Sequence, residues 1–305
     1  MAKDRPLALW CAVLAVLLSA PALAIGQELE PRAYSPSPVG VNFLSVSGGR
    51  SQGSVLLDPS IALEDVSATV ETLTIAYGRT FDLAGRQALI VGAIPLAWSE
   101  ATGRVGENRG SVGRTGFADV HIKVSAGLAG APALTAAEFR RAPRRPTVGA
   151  SLTVVAPTGQ YDSRKLINLG TNRWGFKPEI GVSYPRHRWT FDVYAGIWMI
   201  TTNDTFYPGS SRRTQDNTTT LQAHVSYEIA RQGWIAVDST WYSGGQSAVN
   251  GVAKDDRKRN TRVGGTFSLP IRPAHSIKLS YSTGASTRAG TDFETFGISW
   301  QIIVF

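Results

Sequence analysis

The sequence predicts an all-β chain folded as a closed antiparallel transmembrane β-barrel of about twelve strands. Three observations point there. Apolar and polar residues alternate with period two in twelve stretches after residue 38. Successive side chains of a strand point to opposite faces, so this pattern marks sheets with two chemically different sides. Most stretches run 12 to 16 residues, whereas strands of soluble proteins have about 5–6 and a tilted strand needs about 9–11 to cross a bilayer. The connections alternate between long and short, as they do in outer-membrane barrels.

Composition agrees. The 305 residues hold 31 Lys+Arg against 23 Asp+Glu, a formal +8, yet only 18% are charged and 43% are apolar. Disorder needs the opposite balance. One Cys cannot build a disulfide framework. After the leader, no segment offers 18 uninterrupted apolar residues, which excludes a bundle of membrane helices.

The first element is an address. Lys3 and Arg5 form a basic start, Leu7 to Leu18 an apolar run, and Ala22-Leu23-Ala24 a small-x-small cleavage pattern. Twelve helical residues rise about 18 Å, short of the hydrocarbon slab of about 30 Å. Residues 1–24 therefore read as a cleaved signal peptide, and 25–38, with Pro31, Pro36 and Pro38, as an irregular lead that either stays in the periplasm or enters the lumen. Residues 39–305 read as the barrel.

The strands fall at about 39–50, 66–81, 87–100, 116–129, 146–158, 173–185, 187–202, 217–230, 233–244, 259–270, 275–287 and 292–305. The clearest is Leu221 to Ile229, apolar at every odd position and polar at every even one. Ala118 to Ala126 repeats the pattern on the other parity, and Trp189, Phe191, Val193, Ala195, Ile197 and Met199 share one face opposite Thr190, Asp192 and Tyr194. The least regular stretch, 87–100, is apolar on both parities and contains Pro95, which suggests a bulge or contact with a plug. With a periplasmic N-terminus, the outer loops are 51–65, 101–115, 159–172, 203–216, 245–258 and 288–291, and the inner turns 82–86, 130–145, 186, 231–232 and 271–274. The Ala/Arg/Pro-rich turn 130–145 is the misfit on the inner side. An even strand number returns both termini to one side, and localisation follows as the outer membrane of a Gram-negative-type cell.

The block Pro157-Thr158-Gly159-Gln160-Tyr161-Asp162, then Leu166 to Trp174 (LINLGTNRW), then Phe176-Lys177-Pro178-Glu179-Ile180-Gly181 resembles a motif of the MetA-pathway of phenol degradation family, a group of outer-membrane transporter-like barrels. Gly116-Phe117-Ala118-Asp119 and Val39-Gly40-Val41-Asn42-Phe43 add to the likeness. The resemblance implies uptake of small hydrophobic or aromatic molecules. The terminal Phe305 resembles the signal read by the barrel-assembly machinery, although it lies on the parity opposite Phe296, Ile298, Trp300, Ile302 and Val304.

If the apolar parity faces lipid, the lumen is lined by Asp119, His121, Lys123, Lys177, Glu179, Asp192, Tyr194, Gln222, His224, Glu228 and Lys278. Both charge signs occur, so the simplest role is mutual pairing across strands. Twelve strands lie between the barrel filled by side chains and the open porin, so the interior should be narrow, plugged or gated. Tyr194 and Trp198, with Trp174 and Tyr161 near the outer mouth, could contact an aromatic solute; the competing reading puts Trp174, Trp189, Trp234, Trp241 and Tyr242 in interfacial girdles. Cations in the outer loops, Arg212, Arg213, Lys254, Arg257, Lys258 and Arg259, suit lipopolysaccharide phosphates. Expected partners are thus outer-membrane lipid and lipopolysaccharide, the assembly machinery and a small solute, with no nucleic acid. The sequence suggests no cofactor, and the four His lack ligand spacing for a metal. The alternatives are a structural barrel without transport and a lipase- or deacylase-like barrel enzyme. In the latter His224-Val225-Ser226 would place base and nucleophile on one face, with Glu228 as third member. That Ser lacks a following Asn-Gly, which favours a non-enzyme.

Overall fold

A computed structural model of the chain describes residues 29–56, 64–165, 167–229 and 233–304. Residues 1–24, expected to be a signal peptide, and Phe305 lie outside the described residues. The strands are β1 (Asn42–Leu56), β2 (Glu64–Leu83), β3 (Arg86–Val105), β4 (Asn108–Phe117), β5 (Val120–Ala129), β6 (Thr147–Ala156), β7 (Gly175–Arg186), β8 (Trp189–Ile200), β9 (Asn203–Phe206), β10 (Ser211–Gln215), β11 (Thr218–Glu228), β12 (Trp234–Gly244), β13 (Ser247–Val249), β14 (Val252–Ala253), β15 (Lys258–Arg272), β16 (His275–Ser286) and β17 (Gly290–Val304). All but β9, β10, β13 and β14 form one antiparallel sheet. It closes where β1 pairs with β17, from Asn42↔Val304 to Leu56↔Gly290. With β4 and β5 as two halves of one strand, both laddered to β3, this is a closed barrel of twelve strands. Closure through β1–β17 and β5–β6 leaves no edge along the ring itself, the condition for putting a sheet in lipid, while β4 pairs only with β3.

The alternation sorts the two faces as the sequence suggests. Leu221, Val225, Phe191, Val193, Ile197, Ile298 and Trp300 are exposed on the outside, while Gln222, His224, Ser226 and Asp192 are buried inside. The outward apolar surface has no core to join and is the lipid-facing belt. Val237, 70% exposed, lies within it, and Val237→Arg should cost about 2–4 kcal/mol near the bilayer midplane. Urea unfolding in lipid vesicles checks this; an unchanged midpoint would remove Val237 from the belt.

Segment 101–115, expected as a loop, is instead a hairpin: β3 runs on to Val105 and β4 begins at Asn108. Its alternation is hidden because Gly and Arg dominate it, so neither face reads as apolar. The connections 203–216 and 245–258 also hold strands, and β14-β13-β10-β9 make a second, four-stranded sheet over the barrel end far from the termini. At the terminal end, the long 130–146 connection is folded rather than slack. It carries one helical turn, Ala136–Phe139, with a Thr135/Glu138 capping box. It also bonds to the β2–β3 turn, through Ala133 N–H to the Gly85 carbonyl, and to the lead, through Val39 N–H to the Leu134 carbonyl.

Candidate functional site

Residues 29–38 have no periodicity and build no strand. Of the two positions open to them they take the interior one. Arg32 reaches three neighbouring strand positions: its Nε donates to Ser226 Oγ at 2.9 Å, and its Nη2 to Thr190 Oγ1 at 3.2 Å and Glu228 Oε1 at 3.0 Å. Its backbone N–H donates to Asp192 at 3.2 Å, and the guanidinium lies over the Trp234 ring at 5.2 Å. Arg32 has φ 66°, a left-handed backbone that costs a non-glycine residue about 1–2 kcal/mol, which these contacts offset. Tyr34 packs edge-on against Tyr194 at 4.9 Å and bonds to Ser151 at 2.8 Å and Glu179 Oε1 at 3.0 Å. Its ring fits because Gly149 and Gly181 are opposite each other in the β6–β7 ladder. A Cβ on either would stand 2.4 or 2.3 Å from that ring. Lys123 bonds Glu30 and holds its carboxyl well below the usual carboxylate range, so this contact persists in mild acid.

Under this plug the inward side chains of β7, β8, β11 and β12 form a paired layer. Lys177 and Glu179 make an ion pair at 2.7 Å, both side chains almost fully buried. Gln222 donates to Glu179 Oε2 at 3.0 Å. His224 stands in register between Asp192 and Asp238 and shares a 2.7 Å hydrogen bond with Asp238, whose other oxygen accepts from Thr266 at 2.7 Å. Tyr194 accepts from the Ala33 N–H at 3.0 Å. Glu228 bridges Arg32 and Arg144, the latter from the 130–146 connection. The triad arrangement does not form: the orienting partner of His224 is Asp238, Glu228 is tied to two arginines, and Ser226 is engaged by Arg32. All of it lies under the plug, away from acyl chains.

The other half of the barrel is lined by small residues. Between the plug and β1, β15, β16 and β17 is a cavity of 810 Å³ whose lining includes Ser45, Ser47, Ser276, Ser280 and Ser299, with Phe43, Val91 and Trp234. Lys278 lines it as well. His121 is half-buried on the inward parity of β5, in register with Ala93 and Val155. The two-sided apolar character of 87–100 has its explanation here: Val91 faces the cavity, and Gln87 meets Ser37 of the plug.

At the far end, Asp119 interrupts the strand between β4 and β5. Its carboxylate accepts from the Gly159 N–H at 2.9 Å, the Thr171 N–H at 2.8 Å and the Thr171 hydroxyl at 2.6 Å. It thereby folds the 157–174 segment onto the break, and Gln160 N–H bonds the Phe117 carbonyl. Gly159 and Gly170 touch backbone to backbone; a Cβ on Gly159 would stand 2.7 Å from the Gly170 Cα. The motif residues within 157–174 therefore build a loop over the break, while 176–181 belong to β7. Asp119→Ala strands three donors and should cost about 1–3 kcal/mol locally. The readout is faster protease cleavage within 157–174, and wild-type cleavage rates would show that Asp119 does not hold this loop.

The aromatic residues divide. Trp174, Trp189 and Trp241 are exposed on the outside, which corrects the luminal reading of Trp174. Trp234 and Tyr242 are inside instead of in a girdle, the first against Arg32 and the second buried. Tyr194 and Trp198 are fully buried in the interior, and Tyr161 is in the far loops, bonded to Thr205 and Asn203. Sequence reasoning missed Arg32, Tyr34, Arg144 and Asp238. The even positions of 234–242 carried a signal for Asp238, whereas the lead and the 130–146 segment have no period to read.

The fold is shared with proteins of known structure. An outer membrane channel from Pseudomonas putida F1 is 19% identical and superposes with a TM-score of 0.75, covering 91% of this chain and 100% of its own. The transport unit of the autotransporter AIDA-I from Escherichia coli is 10% identical with a TM-score of 0.52, covering 98% of this chain and 97% of its own. The sequence matches no curated protein at a significant level. A family model matches residues 47–302, and with the barrel it places the chain in the outer membrane. The chain belongs to the family described as "Putative MetA-pathway of phenol degradation".

Proposed function

We propose that this barrel is a channel that takes up small hydrophobic or aromatic molecules, and that it catalyses no reaction. The observation that supports it best is the 810 Å³ cavity beside the plug. Its size lies within the about 300–1,000 Å³ usual for small-molecule sites. Phe43, Val91 and Trp234 offer apolar contact there, and a row of serine hydroxyls offers hydrogen bonds, with Glu30, Arg32, Arg272 and Lys278 also in the lining. Lys177, Glu179, Asp192, Tyr194, Gln222, His224 and Glu228 then keep one side of the lumen closed, which confines passage to the other, where Lys278 lines the cavity; Lys123 anchors the plug through Glu30, and Asp119 holds the far loop. The signal peptide exports the chain, and Phe305 engages the assembly machinery. The exposed Arg212, Arg257 and Arg259 meet lipopolysaccharide phosphates. Arg213 and Lys258 are set apart from that role because they are half-buried on inward parities.

The test is single-channel recording in a planar bilayer with phenol added after insertion, alongside growth of a deletion strain on aromatic substrates. Discrete steps that phenol blocks support the reading. Parental growth and accumulation in the deletion strain, with no phenol block, would sink it.

A further inference from the structure

On four neighbouring strands, β2, β1, β17 and β16, the outward face turns from apolar to polar at one level, toward the end away from the termini. On β17, Trp300, Ile298 and Phe296 are exposed, and Glu294 and Asp292 continue their parity. On β2, Ile75 and Leu73 give way to Glu71, and on β16 Leu279 and Tyr281 give way to Thr283. On β1 the same step falls at Arg50, which is opposite both Glu71 and Phe296. Aromatic rings at such a step mark the boundary between hydrocarbon and headgroups.

A groove of 500 Å³ lies in the wall at this boundary. It faces lipid rather than the lumen, because Gln52, Tyr281, Glu294 and Phe296 are on the outward parity. Phe296 and Tyr281, opposite each other, are 53% and 47% exposed and form its membrane side. Gln52 and Glu294, opposite each other, form its outer side with Asp292. Arg50 is paired with Glu71 at 3.1 Å and donates to Gln52 Oε1 at 3.4 Å. Asp292 accepts from Thr287 at 3.0 Å. Arg262, bonded to Ser282 and the Phe293 carbonyl inside the wall, acts on Asp292 through its charge. Glu294 has neither an ion pair nor a hydrogen bond among the described residues.

The groove thus presents chiefly acceptors, the oxygens of Glu294, Asp292 and Gln52. A phosphate brings acceptors of its own and finds little here to bond. A sugar hydroxyl donates, and a bond to an ionised acceptor is the stronger kind. The C–H face of a sugar ring also packs on the apolar body of an aromatic side chain.

We propose that this groove holds a sugar ring of lipopolysaccharide, its hydroxyls donating to Glu294, Asp292 and Gln52 and its C–H face against Tyr281 and Phe296. The acyl chains then run over Ile298 and Trp300. The inference deepens the lipopolysaccharide contact proposed for Arg259 and rests on it for the phosphates alone, since Arg259 is on the outward parity of β15, next to β16. Variants in the groove leave Arg259 intact, so the two readings fail separately.

The experiment is thermal unfolding of the full protein in detergent freed of lipopolysaccharide. Deep-rough lipopolysaccharide or phosphatidylglycerol is then titrated in, with EDTA present. Ligand bound only by the folded state raises the midpoint with concentration. Lipopolysaccharide should raise it in a saturable way, phosphatidylglycerol should not, and the Gln52→Ala/Glu294→Ala pair should abolish the shift. Both side chains are exposed, so the pair should fold. If it does not, Glu294→Ala alone should weaken binding about tenfold. Equal shifts with the two lipids, or an undiminished shift in the variants, would overturn the proposal. A shift that needs added magnesium would also overturn it and assign the carboxylates to a cation bridging lipid phosphate. Loss of the shift in Arg259→Gln but not in the groove variants would keep the phosphate contact and remove the groove.

Discussion

On the proposed channel function, Arg32→Ala should turn a barrel that opens rarely into one that opens often and conducts more. Arg32 is the most connected residue of the plug, and its guanidinium joins Glu228, Ser226 and Thr190 at 2.9 to 3.2 Å in a partly buried setting. A hydrogen bond to a charged group contributes about 1.5–3 kcal/mol. Each 1.4 kcal/mol is a factor of ten, so the docked plug should lose about ten- to a hundredfold in population. Glu228 keeps Arg144, which limits the penalty of leaving that carboxylate behind. The strand ladders do not involve Arg32, so the thermal unfolding midpoint should move little. Arg144→Ala is the control: its side chain is more exposed, and its removal should matter less. Recordings from Arg32→Ala that match the wild type in step size and open time would show that residues 29–38 do not limit passage.

Glu179→Ala should be the most destabilising single change in the interior. It removes the partner of a buried Lys177 and the acceptor for both Gln222 and Tyr34. Deleting one member of a buried pair costs about 3–5 kcal/mol, because the remaining charge stays buried without its carboxylate. Converting both members, Lys177→Met with Glu179→Gln, should recover much of that loss, since no buried charge remains and the new side-chain amide oxygen can still accept from Tyr34. Urea unfolding in lipid vesicles distinguishes the variants. If the single variant is as stable as the double, the Lys177–Glu179 pair does not carry the stability assigned to it. Because Tyr34 depends on Glu179, the single variant should also loosen the plug, visible as noisier conductance.

The fold was legible because lipid makes the pattern simple. A strand with hydrocarbon on one side and a polar lumen on the other must alternate, and Leu221 to Ile229 shows the rule without an exception. The rule fades where the outward residues leave the hydrocarbon, and the 101–115 hairpin, rich in Gly and Arg, reads as a loop for that reason. Alternation also placed Asp192, His224 and Glu228 on the polar parity, but parity says only which way a side chain points. Whether His224 meets Ser226, two residues along its own strand, or Asp238, directly across the next one, depends on register between strands far apart in sequence.

Contacts made by irregular chain were hidden altogether. The lead, the 130–146 connection and the 157–174 loop carry no period, so nothing in them announces that Arg32 reaches Glu228 or that Asp119 gathers the donors of Gly159 and Thr171. Period-two chemistry, local and repeated, is enough to specify a barrel and its two faces. Which half of the lumen is filled and which half stays open is set by long-range pairing around one short plug, and that pairing exists only once the barrel has closed.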